Sequence, residues 1–223
     1  MSFIVAIDGP AGSGKGTLAN DLSRLTDLIN IDTGATYRCV ALAVIRAGLK
    51  IDDEDKIIEL VDTLDINIKV KEDKDHIFLN GEDVTKEIRE QYVTNVVSPI
   101  SAIIPVRIKL VELQRRMAEG KDVIMEGRDI GTYVFPNADL KIYLDADTEE
   151  RAKRRYKENQ EKGIECTYEE LLENVKSRDY TDMNKKMGAL KKADDAIVIN
   201  STNLTIDEVV NKILSLRKEK MLG

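Results

Sequence analysis

Gly9-Pro10-Ala11-Gly12-Ser13-Gly14-Lys15-Gly16-Thr17 follows directly on the apolar run Phe3-Ile4-Val5-Ala6-Ile7, and the junction reads as a buried strand, a phosphate-binding loop and a helix. The glycines let the backbone curl so that several N–H groups face one anion, and the helix that starts at the loop adds its positive end. Lys15 brings a mobile point charge. Leu18, Leu22 and Leu25 carry the stretch on at helical spacing. A dinucleotide fingerprint does not fit, because Thr17 stands where a third glycine is needed after Gly12 and Gly14. The common phosphate-loop pattern places Ser or Thr directly after the lysine, whereas here Gly16 intervenes and Thr17 comes one place later.

Outward from the loop, four more short apolar runs read as buried parallel strands: Leu28 to Ile31, Val123 to Met125, Ile142 to Leu144 and Ile197 to Ile199. Helical segments separate most of them. Pro105 opens one with Val106, Leu110, Leu113 and Met117 on a stripe and Gly120 as its stop. Thr205 and Glu208 form a capping box for another, which carries Val209, Val210, Ile213 and Leu214. Strands alternating with helices predict a doubly wound α/β sheet, whose ligands bind beyond the carboxyl ends of the strands. Two regions break the alternation. Ile66 to Val70, His76 to Leu79 and a turn at Asn80-Gly81 predict a small inserted antiparallel sheet on the substrate side. The stretch from Thr148 to Lys162 is almost wholly charged, and after Gly163 a second helix opens at the box Thr167 and Glu170, so two exposed helices joined by a hinge are expected.

At 223 residues and 42% hydrophobic content the chain suits one α/β domain with inserted pieces. A net charge of −7 argues against a general nucleic-acid binder, as does the scarcity of aromatics that could stack on bases. Cys39 and Cys166 stand far apart, and with no signal-like start a reducing cytoplasm is the expected setting. His76, the single histidine, follows the charged run Glu72-Asp73-Lys74-Asp75 and reads as a solvated turn residue rather than a general base. No cluster of His and Cys offers a metal site, and no run is long enough to span a membrane.

Phosphoryl transfer needs positive charge around the transferring oxygens more than it needs a covalent catalyst, so arginines just past buried strands are the candidates. Arg38 closes Asp32-Thr33-Gly34-Ala35-Thr36-Tyr37, Arg128 sits within Glu126-Gly127-Arg128-Asp129, and Arg178 and Lys185 flank Asp179 and Asp182. The Gly16 form of the loop resembles that of small-molecule kinases of the adenylate kinase type. Taken with Glu126 to Thr132, Val134-Phe135-Pro136, Arg178-Asp179 with Asp182, and Ala193 to Ala196, the whole chain resembles the bacterial cytidylate kinases.

That resemblance implies a five-stranded parallel P-loop kinase core (1–34, 106–150 and 188–223) with helices on both faces. It also implies a monophosphate-binding subdomain with the insert (35–105) and a helical lid (151–187). The activity implied is ATP-dependent phosphorylation of CMP and dCMP with Mg²⁺, and with the composition a cytoplasmic monomer with no nucleic-acid or membrane partner is expected. Gly9, Pro10, Ala11, Gly12, Ser13, Gly14, Lys15, Gly16 and Thr17 would hold the ATP phosphates, with Arg154 and Arg155 as lid contacts. Thr33, Arg38 and Arg128 would grip the CMP phosphate, Asp32 and Gly34 would belong to the CMP-binding set, Tyr37 would pack near the nucleotide, and Arg178 and Asp182 match sugar-side positions. Ser98, Arg107 and Asp129 match positions that read cytosine, where a carboxylate accepts from the N4 amino group and an arginine donates to N3 and O2. Lys15, Arg128, Arg178 and Lys185 would stabilise the transferring charge, and Thr17 would touch Mg²⁺ directly or through water, with Glu126 behind it.

The chain departs from the family pattern at Lys185, where an arginine is expected, at Thr181 and Met183, and across Met187-Gly188-Ala189-Leu190. Lysine keeps the charge but loses the two-pronged guanidinium contact, which bears on turnover. A kinase with another acceptor, such as UMP or shikimate, shares the loop and stays open at this point. A GTPase-type switch is disfavoured because Asn184-Lys185-Lys186-Met187 lacks the aspartate of the guanine-reading motif.

Overall fold

The computed structural model describes residues 2–71, 74–161 and 163–222. The chain runs through β1 (Ile4–Asp8), α1 (Lys15–Leu25), β2 (Ile29–Asp32), α2 (Thr33–Arg46), α3 (Glu54–Asp62), β3 (Ile66–Lys71), β4 (Lys74–Leu79) and β5 (Glu82–Asp83). It continues with α4 (Gln91–Ile100), α5 (Ile104–Ala118), β6 (Val123–Gly127), β7 (Leu140–Asp145), α6 (Thr148–Glu161), α7 (Tyr168–Met183), β8 (Ile197–Asn200) and α8 (Ile206–Leu222). Two compact units result: Met1–Ile29 with Lys121–Gly223, and Asn30–Gly120. The expected insert 35–105 lies wholly inside the second.

The large sheet is five-stranded and parallel in the order β2-β6-β1-β7-β8, and β6, β1, β7 and β8 lie in the first unit. Ile7 of β1 stands opposite Glu126 on one side and Ile142 on the other. From β1 the chain visits one side of the sheet first and the other side later, so the switch point falls at the carboxyl end of β1, where the phosphate loop begins. Side chains alternate between faces along a strand, and Val5, Ala6 and Ile7 are at most 1% exposed, so β1 is covered on both faces. Leu18 and Leu22 of α1 and Val209 and Ile213 of α8 close over Val5, Ile7 and Ile142. Each such fully buried aliphatic side chain contributes about 2 kcal/mol.

All five expected strands form, with edges displaced by at most two residues. The most telling displacement is at β1, which runs on to Asp8 instead of stopping at Ile7. A carboxylate can end a buried strand there because backbone N–H groups of Ile130 and Gly131 donate to it at 2.8 and 2.7 Å. The capping box at Thr167 and Glu170 is formed, and at α8 the Thr205 and Glu208 side chains each accept from the other's backbone N–H.

The second unit has its own core, in which Val40 and Leu42 of α2, Ile57 of α3, Ile100 of α4 and Val106 and Leu110 of α5 meet Ile77 of β4. Its small sheet is ordered β3-β4-β5 and antiparallel. Asn80 and Gly81 both take positive φ, 51° and 83°, the twist a two-residue hairpin of this type requires. His76 lies in β4, as the run His76 to Leu79 predicts, but it is half-buried rather than fully solvated, with Nδ1 2.6 Å from Asp83 Oδ2. Glu72 and Asp73 of the expected charged turn, and Lys162 at the end of the charged stretch, lie outside the described residues. No helix among the described residues is long and apolar enough to cross a membrane.

Candidate active site

Three glycines of the loop take positive φ: Gly9 at 154°, Gly12 at 78° and Gly14 at 95°, the last as the cap of α1. Gly9 is also confined by space, since a Cβ there would stand 2.0 Å from the Leu144 carbonyl oxygen of the neighbouring strand. Backbone cannot yield as a side-chain tip can. Gly9→Ala is therefore expected to lose about 3 kcal/mol or more of stability, well above the ordinary surface change, which thermal and urea unfolding would measure.

Lys15 opens α1 and is 5% exposed, its ammonium donating to the Pro10 carbonyl at 2.8 Å and to Ser13 Oγ at 3.4 Å. Burial lowers its pKa, Arg128 and Arg178 push the same way, and Glu126 and Asp8 oppose them. Cations thus gather at the loop. Glu126 reaches the loop from β6: a Cβ on Gly16 would meet its Oε1 at 3.1 Å. Glycine in place of the usual Ser or Thr leaves the carboxylate that room.

Arg128 donates from Nε to Asp182 Oδ2, and Lys185 donates to Asp182 Oδ1, both at 2.8 Å. Burial raises the Asp182 carboxyl, but Arg128 and Lys185 outweigh it and hold the pKa at about 2. A carboxyl depressed from 3.8 contributes stability above that pH and loses it as the pH falls through about 2, so this cluster stays charged near neutrality. Arg154 of α6 donates to Glu150 Oε1 at 3.2 Å and to the Ser201 carbonyl at 2.7 Å. It lines a cavity of about 400 Å³ with Ser13, Gly14, Thr17, Ser201 and Leu204. That cavity begins at the phosphate loop and has the volume of a small-molecule site. Arg155 is half-buried on the same helix.

Most of the other expected residues lie in the second unit. Asp32 caps α2 by accepting from Ala35 N at 3.0 Å, and Thr33 and Gly34 form its first turn. Arg38 is drawn toward α4, donating to the Ile88 carbonyl at 3.1 Å and to Thr94 Oγ1 at 2.7 Å. The Arg107 guanidinium lies over the Tyr37 ring, 5.5 Å from its centre, and both residues are buried. Arg107 also donates to the Ser101 carbonyl at 3.4 Å, and Ser101 Oγ donates to the Ser98 carbonyl at 2.8 Å. Asp129, 5% exposed, belongs to the first unit.

Three buried charges escaped the reading of the sequence. Asp8 is raised to about 6 by burial, against the two N–H groups that donate to it, and it ties the start of the loop to the segment that follows Arg128. Arg151 and Asp179, 3% and 9% exposed, pair across α6 and α7. Arg151 was expected on a solvated face, and the structure corrects that. One signal was available: Ala152 and Tyr156 are the less polar positions of the charged stretch and mark the inner face of α6, beside which Arg151 falls.

As for a metal, no group of three or more His, Cys, Asp or Glu side chains converges among the described residues. Mg²⁺ does not require one, since it keeps waters and is held through one or two protein oxygens plus substrate phosphates. The exposed Thr17 hydroxyl and the Glu126 carboxylate against Gly16 are a donor set of that kind.

The family model described as cytidylate kinase matches residues 5–219. A cytidylate kinase of Caldicellulosiruptor saccharolyticus is 50% identical over 212 residues, covering 95% of this chain and 94% of its own length. One from Caldanaerobacter subterraneus is 45% identical over 223 residues, covering 100% and 98%. Among solved structures, an uncharacterized protein from Eubacterium ventriosum is similar with a TM-score of 0.50 at 14% identity, covering 96% of this chain and 98% of that one. That last likeness is one of fold alone.

Proposed function

This chain belongs to the cytidylate kinase family, and on that premise we propose a division of labour in which the first unit handles ATP and the second supplies much of the grip on CMP. The activity is ATP-dependent phosphorylation of CMP and dCMP, in pyrimidine nucleotide metabolism. The observation that carries the assignment of residues is the set of cations about the loop: Lys15 buried, Arg128 and Arg178 near enough to perturb it, and Lys185 one ion pair away through Asp182.

A phosphate monoester has its second pKa near ~6, so CMP arrives largely dianionic and needs no strong general base. A CMP phosphate oxygen attacks the γ-phosphorus in line and ADP leaves, with no phosphoenzyme. Loop N–H groups and Lys15 hold the β- and γ-phosphates, while Arg128, Arg178 and Lys185 meet the charge that spreads over the equatorial oxygens, each aimed donor worth about 3 kcal/mol. The cavity lined by Arg154 and Leu204 is proposed to take the nucleoside of ATP. Thr17 and Glu126 would hold Mg²⁺ partly through water, and the ion when bound supplies further neutralisation of the ATP phosphates. Thr33, Arg38, Ser98, Arg107, Asp129 and Asp182 are proposed to contact CMP. In this reading the chain works as a cytoplasmic monomer on free nucleotides.

A coupled assay of ADP release against CMP, dCMP, UMP and AMP tests the assignment: activity with the two cytidine nucleotides and little with the others is expected, and equal use of UMP would overturn the base-reading residues. Asp182→Ala is expected to raise KM for CMP about tenfold, the worth of one hydrogen bond to a charged group. Unaltered KM values for both CMP and dCMP would remove Asp182 from the sugar side.

A further inference from the structure

Arg151 sits in the first turn of α6, where the helix dipole favours anions, and is nonetheless 3% exposed. All five of its N–H donors are matched. Nε donates to the Ala146 carbonyl at 2.9 Å; Nη1 to the Ala11 carbonyl and Asp179 Oδ1, each at 3.1 Å; Nη2 to Thr148 Oγ1 at 3.0 Å and Asp179 Oδ2 at 2.6 Å. One rigid guanidinium therefore fastens three stretches of chain: the phosphate loop at Ala11, the entry to α6, and α7. The arginine stem also lies along the loop, since a Cβ on Gly12 would meet Arg151 Cβ at 3.4 Å. On α7, Asp179 follows Arg178 directly and stands three residues before Asp182, which holds Arg128 and Lys185. Ala11 is in the loop that cradles phosphate, so the fork joins that loop to the helix turn that carries the cations.

We propose that Arg151 and Asp179 form a positioning strut, touching no substrate, that fixes the Arg178 to Lys185 segment relative to the phosphate loop for phosphoryl transfer. This rests on reading Arg178 as a cation of the transfer site. The planar fork is what the geometry uses, so lysine can replace only part of it.

The test is steady-state kinetics on the full chain with ATP and CMP, well below the unfolding midpoint of every variant. Asp179→Asn and Arg151→Met are expected to lower kcat about 10- to 30-fold, short of the ~10²-fold that a 1 Å misplacement can cost. KM for ATP should stay within about threefold, because the loop amides and Lys15 are untouched. Arg151→Lys should recover part of the loss, and the double variant should be no slower than the slower single one, as for two residues acting as a unit. If Arg151→Met does not fold, Arg151→Lys and Asp179→Asn carry the test alone. Unchanged kcat in folded variants, or losses that multiply in the double variant, would overturn the strut. Arg178→Ala, measured in parallel, separates the two levels: if it slows transfer and the strut variants do not, this inference fails alone. If Arg178→Ala leaves kcat unchanged, the role given to Arg178 fails and the strut with it.

Discussion

Lys15→Ala is expected to lower kcat by about 10³-fold while the chain remains folded. The size follows from the role proposed for the ammonium: as an aimed donor at the γ-phosphoryl it would belong to the groups whose single removal costs about 10²- to 10³-fold, and it would bring positive charge as well. Stability should move the other way or hardly at all. Burial lowers the pKa of Lys15, which means the folded chain holds its charge at a cost, with Arg128 adding to it. Removing the ammonium relieves that cost and gives up the hydrogen bonds to Pro10 and Ser13. Lys15→Met, which keeps the stem and loses only the charge, should match the alanine variant in kcat and exceed it in thermal midpoint. Near-normal turnover in either variant would remove the lysine from the chemistry, and a collapsed midpoint in both would mean that its part is structural.

The elements best read from the sequence are those whose cause is local. The phosphate loop is decided by its own glycines, the helix starts at Thr167 and Thr205 by side chains three residues away, and the Asn80-Gly81 turn by two positive φ values. What escaped is decided at long range. Asp8 reads as a polar residue just beyond a strand until Ile130 and Gly131, more than 120 positions later, bring their N–H groups to it. Arg151 is indistinguishable by composition from its charged neighbours, and only α7 folding back beside α6 gives its guanidinium a carboxylate. His76 shows the same limit in part. The run His76 to Leu79 places it in a strand opposite Lys69, but the charged residues before it suggest full solvation, and only the fold brings Asp83 to its ring. Composition reports how a side chain meets water, and buried charges are where that inference fails, because a partner distant in sequence can replace the water.

Asp129→Ala is expected to shrink the preference for CMP over UMP in kcat/KM from about 10⁴ to about 10², most of the change coming from loss of CMP turnover at low substrate. The premise is that the carboxylate accepts from the N4 amino group of cytosine; uracil offers a carbonyl at that position and would leave a buried charge facing an acceptor. The backbone of Asp129 suits such selectivity, because its carbonyl accepts from Tyr133 N at 2.8 Å and Val134 N at 3.1 Å, while Asp8 holds the next two N–H groups. A clamped main chain would limit how far the carboxylate can shift to accommodate the wrong base, as the proposed reading by hydrogen bond requires. Asp129→Asn sharpens the test. Its amide can donate to the uracil carbonyl as well as accept from cytosine, so its CMP to UMP ratio should fall below that of Asp129→Ala, with UMP turnover rising in absolute terms. Should both variants keep the parent ratio, the base would have to be read elsewhere, and Ser98 and Arg107 alone would carry the selection.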